Sequence, residues 1–254
     1  MPAAMSYQYD SEFFDFVNAS SGKSASLFLA EFVRSTLGGT KPASVLDIGC
    51  GRGVWLAEWK RQAIPRLQGL DGAYVDIKSL LVPQADFRAT DISQPFDLQQ
   101  KFDLVECLEV AEHIPEANAE TLVDNIVRHG DLVLFSAAIP GQGGEFHVNE
   151  RPYAYWRAKF AARGYQAYDA IRSQVAQLQE IEPWYRYNAF VFANDAGAVR
   201  LSEAARKSLV PPNVPLADVS PLSWRARCAA ISVLPTSVSF ALARLKHRAA
   251  NLVR

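Results

Sequence analysis

Short apolar stretches alternate with segments of helical periodicity along most of the chain. The predicted strands lie at 45–48, 67–71, 85–91, 102–108, 131–138 and 186–194, and the predicted helices lie at 24–37, 54–59, 115–129 and 152–163. Apolar strands that alternate with helices are typical of a parallel sheet covered by helices on both faces. The pattern therefore predicts an α/β fold with a doubly wound, Rossmann-like sheet.

Three glycines at alternate positions, Gly49, Gly51 and Gly53, follow the first predicted strand and lead directly into a helix. Glycine permits a sharp turn and a close approach to a ligand, and the helix start offers unpaired N–H groups. The spacing G-x-G-x-G differs from the G-x-G-x-x-G of dinucleotide-binding folds, and no G-K-[ST] of a Walker loop follows it. Asp47 before the first glycine suits a ligand that carries a cation. S-adenosylmethionine (SAM) has an ammonium, a sulfonium and no phosphate.

The stretch 45–53 resembles the first motif of class I SAM-dependent methyltransferases. The resemblance implies a seven-stranded sheet whose last strand is antiparallel and inserted at the edge. It also implies that SAM lies at the carboxyl ends of the strands, against the glycine loop. The residues predicted to bind SAM are Asp47, Gly49, Cys50, Gly51, Gly53, Asp71, Asp91, Ile92 and Glu109.

Acidic residues end the second and third predicted strands. Asp71 lies 24 residues after Asp47, about where doubly wound folds place a carboxylate on the ribose, and its two oxygens match a vicinal diol. Asp76 is the alternative, although it falls inside a predicted helix. In the methyltransferase pattern the position of Asp91 and Ile92 contacts adenine, whereas a cap or turn role is the alternative for Asp91.

Two acids and a histidine, Glu109, Glu112 and His113, follow the fourth predicted strand. Their i, i+3, i+4 spacing predicts one face of a helical turn, and two crowded carboxylates call for a cation or a raised pKa. Carboxylate oxygens with one imidazole suit Mg²⁺ or Mn²⁺. His147, in the glycine-rich loop after the fifth strand, is the fourth candidate ligand if that loop folds over the site.

This E-x-x-E-H arrangement resembles the metal motif of ubiquinone-biosynthesis O-methyltransferases and of small-RNA terminal 2′-O-methyltransferases. The stretch 137–149 also resembles bacterial methyltransferases encoded with polysaccharide enzymes. We therefore expect O-methylation of a sugar or surface-glycan precursor, with Glu112, His113 and His147 as catalytic residues and either histidine accepting the hydroxyl proton. A divalent cation would lower the pKa of that hydroxyl. A metal-free site, with His113 as base or cap, is the alternative.

Other functions stay open at this point. They are a catechol, quinone or RNA-terminal O-methyltransferase, an N-methyltransferase, and a non-catalytic scaffold that binds SAM. The net charge of −1 over 254 residues gives no general attraction to nucleic acid. Three separated cysteines and the lack of a signal-peptide pattern fit the cytoplasm.

The charge is nevertheless uneven along the chain. Residues 200–254 carry a net charge of +7 and the preceding residues −8. We expect an N-terminal lid or edge segment (1–23), a methyltransferase domain (24–199) and a basic C-terminal helical extension (200–254). The extension could contact anionic lipid through 224–254 at the inner face of the membrane, or pack on the domain or on a second copy in a homodimer.

Overall fold

The computed structural model describes residues 11–235, 238 and 241 of the chain, with side chains from residue 21 onward. Seven strands form one sheet in the order β3-β2-β1-β4-β5-β7-β6. They are β1 (Ser44–Ile48), β2 (Arg66–Asp71), β3 (Phe87–Ala89), β4 (Leu104–Leu108), β5 (Leu132–Ser136), β6 (Gln166–Tyr168) and β7 (Phe190–Ala193). Strands β1 to β5 pair in parallel, whereas β7 runs antiparallel to both β5 and β6. The predicted α/β sheet with an inserted antiparallel strand is confirmed.

Helices cover the sheet and connect its strands. The helices of the described residues are α1 (Ser11–Glu31), α2 (Val54–Arg61), α3 (Ala119–His129), α4 (Tyr153–Ala161), α5 (Arg172–Val175), α6 (Pro183–Asn188), α7 (Asp195–Ala198), α8 (Glu203–Lys207) and α9 (Leu222–Ser232). Helix α1 begins well before the predicted start at residue 24. It continues into a π-helical turn at Phe32–Thr36, and the chain then turns at Gly38 with a φ of +62°.

Two predictions of local structure are wrong, and one strand was missed. Residues 186–188 of the predicted strand 186–194 belong to helix α6, and strand β6 was not predicted because only three residues form it. Between β2 and β3 the chain forms short 3₁₀ turns in place of the predicted helix. Asp76 caps one of these turns by accepting a hydrogen bond from the amide of Lys78 at 3.0 Å.

Both faces of the central strands are buried, as expected for parallel strands between helical layers. On β1, Val45 packs in one core cluster with Phe28 and Trp59, and the next residue, Leu46, packs in the other with Phe160. Every residue of β1, β4 and β5 is buried. A ligand therefore reaches this sheet at its carboxyl edge, where the predicted site residues lie.

The described part of the C-terminal extension packs against the domain. Leu201 and Ala205 belong to the first core cluster and Leu216 to the second, while Cys228 of α9 is 5% exposed. The predicted contact of residues 224–254 with a membrane or a second copy stays a prediction, and residues 236, 237, 239, 240 and 242–254 of this segment lie outside the described part. None of the described helices combines the length and the apolar character that a membrane crossing requires.

Candidate cofactor and metal site

The glycine loop (residues 49–53) turns sharply between β1 and α2. Gly49 and Gly53 have φ values of +85° and +84°, and Gly53 caps the N-terminus of α2. A Cβ on Gly49 would lie 2.4 Å from Cγ2 of Val110. Glycine is therefore required there both by conformation and by the close approach of the segment that follows β4.

Asp71, at the end of β2, holds the glycine loop in place. Its Oδ2 accepts a hydrogen bond from the amide of Gly51 at 2.7 Å. Its Oδ1 accepts from the amide of Gly72 at 2.6 Å and from the hydroxyl of Tyr74. Burial raises the pKa of Asp71, and these hydrogen bonds act in the opposite direction. The ribose contact of Asp71 stays a prediction, since the structure shows its role in shaping the loop.

Asp47 lies beside a second buried acid that the sequence analysis missed. Glu106 is its register neighbour on β4, and its Oε2 accepts a hydrogen bond from Nε1 of Trp59 at 2.9 Å. Within the described part of the chain, one oxygen of each acid lacks a hydrogen-bond partner. Burial raises the pKa of Glu106 to about 8. Burial, then the charges of Glu106 and Asp71, raise the pKa of Asp47 well above its usual value.

The remaining predicted cofactor residues differ in exposure. Cys50 and Ile92 are each 8% exposed, whereas Asp91 is exposed. Oδ1 of Asp91 accepts hydrogen bonds from the amide and the hydroxyl of Ser93, at 3.0 and 2.6 Å. The alternative turn role of Asp91 is thus present, and its contact with adenine stays a prediction.

The predicted helical turn over 109–113 is wrong, because Glu109 has a φ of +56° and only Ala111–His113 forms a 3₁₀ turn. Oε2 of Glu109 accepts a hydrogen bond from Nε2 of Gln142 at 2.6 Å, and Oε1 accepts from Nδ2 of Asn188 at 3.4 Å. Burial raises the pKa of Glu109, while these amides oppose the rise. Glu109 is therefore held by two amides and lies outside the group of potential ligands described next.

The structure brings together Glu112, His113 and His147, which we call the Glu112 group. One potential ligand atom of each lies within 4.8 Å of the others. Nε2 of His147 lies 4.0 Å from Oε1 of Glu112, and the two imidazole rings meet edge to face with centroids 4.9 Å apart. Glu112 is fully buried, and neither carboxylate oxygen has a hydrogen-bond partner among the described residues.

Electrostatics in the Glu112 group are dominated by burial. Burial, and then the charge of Glu109, raise the pKa of Glu112 well above its usual value. The nearby backbone amides of Glu112 and Ala138 oppose this rise, although they make no hydrogen bond of normal geometry with the carboxylate. Burial and the neighbouring His147 lower the pKa of His113 to about 3. His113 is thus neutral at physiological pH, which is the form that binds metal ions.

The loop that carries His147, residues 139–150, folds over the group and is called the histidine loop. The amides of Val148 and Asn149 both donate to the backbone carbonyl of Glu112 at 2.9 Å. Nδ1 of His147 lies 2.8 Å from Oε1 of Glu150, also in the loop. The folded loop predicted to bring His147 to Glu112 is therefore present.

Three residues of this region were missed in the sequence. They are Gln142, Glu150 and Asn188, which bond to Glu109 or His147. Asn188 is 79 positions from Glu109. An amide so far along the chain from its partner leaves no spacing pattern in the sequence. Only Glu150, three positions after His147, could have been recognised from the sequence as a partner of that histidine.

A family model described as a methyltransferase domain matches residues 23–170, more than half of the chain. Among curated relatives, the chain is 31% identical over 114 residues to the ubiquinone biosynthesis O-methyltransferase of Alkalilimnicola ehrlichii, covering 42% of this chain and 46% of the relative. It is 28% identical over 127 residues to the enzyme of that name from Neisseria meningitidis serogroup C, covering 46% and 49%. The chain spans about half the length of the curated relatives it matches.

Solved structures share the fold at lower identity. The sugar N-methyltransferase KedS8 from Streptoalloteichus is 16% identical with a TM-score of 0.54, over 76% of this chain and 96% of that chain. DesVI of Streptomyces venezuelae is 14% identical with a TM-score of 0.53, over 74% and 100%. The resemblance to class I SAM-dependent methyltransferases is confirmed.

Proposed function

The chain belongs to the methyltransferase-domain family, and we propose that it transfers the methyl group of SAM to a hydroxyl of a small acceptor, a sugar or a surface-glycan precursor. A divalent cation, Mg²⁺ or Mn²⁺, would be bound by Glu112, His113 and His147. Asp47 and the glycine loop would hold SAM at the neighbouring strand end. The close packing of Gly49 against Val110 supports this arrangement, because it brings the two motifs into contact.

The observation that carries the metal proposal is the unpaired carboxylate of Glu112. A buried carboxylate without a hydrogen bond is costly in its ionised form, so burial favours the protonated acid unless a cation is bound beside it. The two imidazoles next to it are oriented by their other ring nitrogens. Nδ1 of His147 lies against Glu150 and Nδ1 of His113 lies 3.3 Å from the carbonyl oxygen of Phe146. Such second partners are typical of metal-binding histidines.

The donor set also indicates the acceptor. A divalent cation at the Glu112 group would lower the pKa of a bound hydroxyl, whereas an amine needs no such help. In the proposed transfer, the acceptor oxygen would attack the methyl carbon of SAM in line with the carbon–sulfur bond. The carbon–oxygen bond would form as the carbon–sulfur bond breaks, the sulfonium would become a neutral thioether, and the hydroxyl proton would pass to solvent. The chain itself supplies the alignment and the buried carboxylate of Glu112, which a bound cation would hold in its ionised form.

Metal binding is tested with the purified chain and Mn²⁺ by calorimetry. We expect Glu112→Gln, which keeps the shape of the side chain and removes its charge, to weaken Mn²⁺ binding by at least about tenfold. The matched control is Glu116→Gln, an acid of the next turn whose side chain is 58% exposed and pairs with Arg151. Equal Mn²⁺ binding by both variants would overturn the proposal.

Chelation separates the two roles open to the histidines. We expect methyl transfer to stop with chelator and to return on adding Mg²⁺ or Mn²⁺. Activity that resists chelation but is lost in His147→Ala would instead assign His147 as the base for the hydroxyl proton, and the cation would be excluded.

A phenolic hydroxyl is the second acceptor class. It is favoured by the similarity to ubiquinone biosynthesis O-methyltransferases. Competition among sugar nucleotides, oligosaccharides, catechols and short RNAs, with release of S-adenosylhomocysteine as the readout, ranks these classes. A chain that binds SAM and releases no product with any of them would be the scaffold considered above, and the enzyme proposal would fail.

A further inference from the structure

Helix α9 of the C-terminal extension lies directly against the histidine loop. Nη1 of Arg227 donates a hydrogen bond to the backbone carbonyl of Gln142 at 2.9 Å. A Cβ on Gly141 would lie only 2.0 Å from the carbonyl oxygen of Cys228. The backbone of α9 thus meets the backbone of the loop with no space for a side chain between them.

Two glycines of the histidine loop hold Glu150 through their backbone amides. The amides of Gly141 and Gly143 each donate to a carboxylate oxygen of Glu150 at 2.7 Å. Oε1 of Glu150 also lies against Nδ1 of His147. A continuous series of contacts therefore runs from α9 through the two glycines and Glu150 to the imidazole of His147.

The loop also orders the neighbouring acid. The side chain of Gln142 donates to Glu109 and accepts a hydrogen bond from Asn188 at 2.7 Å. Gln142 therefore bonds to Arg227 through its backbone carbonyl and to Glu109 through its side-chain amide. Movement of α9 away from the loop would remove support from His147 and from Glu109 at the same time.

The composition of the loop explains why an external support is needed. Gly141 and Gly143 have φ values of +80° and +69°, and Gly144 is the third glycine in four positions. Such a segment loses more backbone entropy on ordering than other sequences do. None of its residues belongs to either core cluster, so we expect the packed helix to contribute to the stability of the closed form.

We propose that α9 positions His147 by clamping the histidine loop, with Arg227 as a positioning residue for the metal site. The inference rests on the proposed function, because it assumes that His147 is a ligand. It assigns to the basic extension a role inside the catalytic domain. The lipid contact predicted for residues 224–254 is a separate hypothesis.

The test compares Arg227→Ala with Arg225→Ala, an exposed arginine on the same helix. We expect Arg227→Ala to weaken Mn²⁺ binding by up to about tenfold by calorimetry, the lower limit for loss of a residue that bonds a ligand directly, because Arg227 acts on His147 through the loop. Arg225→Ala should stay within about twofold of the unaltered chain. SAM affinity and the thermal midpoint should be similar in both variants. Unchanged Mn²⁺ affinity in Arg227→Ala would overturn the clamp.

Hydrogen exchange provides a readout that needs no metal. We expect Arg227→Ala, and not Arg225→Ala, to speed amide exchange in residues 139–150. If the unaltered chain binds no Mn²⁺ but this difference appears, α9 still clamps the histidine loop, but the metal proposal fails and Arg227 has no role in metal binding. If Mn²⁺ binds and exchange is the same in both variants, the clamp fails and the metal proposal stands.

A second pair of variants separates contact with α9 from backbone strain. Gly141 and Gly164 both have φ values of +80°, but nothing lies within 4 Å of a Cβ built on Gly164. We expect Gly141→Ala to lose Mn²⁺ binding by at least about tenfold, and Gly164→Ala to retain it. Equal retention by both would show that α9 can leave the loop without effect on the site, and would overturn the proposal.

Discussion

Two pairs of acids at the carboxyl edge of the sheet are built alike: Asp47 with Asp71, and Glu112 with Glu109. In each pair one carboxylate accepts several hydrogen bonds from the chain. Asp71 binds three donors of the loops next to it, and Glu109 binds the amides of two distant residues. The other carboxylate is buried with at least one unpaired oxygen. The paired acids shape the backbone, and the unpaired acids are the places where a cation would bind.

The pairs differ in where their partners come from. The donors to Asp71 lie 1, 3 and 20 positions away, whereas Gln142 and Asn188 lie 33 and 79 positions from Glu109. The first pair is assembled by one strand–turn–helix unit and the next strand. The second needs the histidine loop, α6 and α9. We expect changes far from the site to disturb the second pair and to leave the first intact.

The largest expected effect is on turnover in Glu112→Ala. Removing the unpaired acid of the second pair should lower kcat by at least about a hundredfold, because the cation and its effect on the acceptor hydroxyl are lost. SAM affinity, measured by calorimetry, should stay within about twofold. If the variant loses SAM binding instead, the two pairs do not have the separate roles assigned here.

The pH dependence of stability tests the first pair through Glu106, the buried neighbour of Asp47. Its folded-state pKa of about 8 lies above the ordinary 4.5, so in this range the unfolded chain releases a proton that the folded chain keeps. This acid therefore destabilises the fold progressively as the pH rises from about 4.5 to 8, and has no effect below that range. Relative to the unaltered chain, Glu106→Gln should gain about 2 kcal/mol in free energy of unfolding between pH 5 and pH 7.

Urea denaturation at several pH values measures this gain. The control is Glu203→Gln, which removes an acid whose exposed side chain pairs with Lys207. The difference in free energy of unfolding between Glu203→Gln and the unaltered chain should change by less than about 0.5 kcal/mol over the same pH range. A gain of the same size in both variants would show that the pKa of Glu106 is not raised in the folded chain.

Asp47→Asn should weaken SAM binding about tenfold, since a neutral amide replaces the charged partner of the ammonium. Mn²⁺ affinity should be unaffected. Calorimetry with each ligand alone gives both values. Loss of Mn²⁺ binding with SAM binding intact would reverse the assignment of the two pairs.

The smallest effect is expected for Tyr74→Phe. The change removes one donor from Asp71 and leaves the amides of Gly51 and Gly72 bonded to it. Because Tyr74 is 44% exposed, we expect a loss of no more than about 1 kcal/mol in free energy of unfolding and a change in SAM affinity below about threefold. A larger loss of SAM affinity would mean that the hydroxyl does more than support the loop.

The fold could be predicted where the pattern is local and repeated. Strands β1, β2, β4 and β5 lie within one or two residues of the apolar stretches that predicted them, because burial on both faces demands continuous apolar runs. Strand β6 and helix α6 were missed, since a three-residue strand carries no periodicity and contacts with the rest of the sheet decide it.

The sequence by itself determined where the glycine loop, Asp47, Asp71 and the acids after the fourth strand lie relative to the strand ends. Each of these positions follows from the neighbouring residues along the chain. Only the tertiary structure decided that Glu109 turns toward Gln142 and Asn188, that Glu106 lies beside Asp47, and that α9 covers the histidine loop. The physical reason is sequence distance. A turn needs particular residues at adjacent positions, whereas a buried acid needs donors that any part of the folded chain can bring to it.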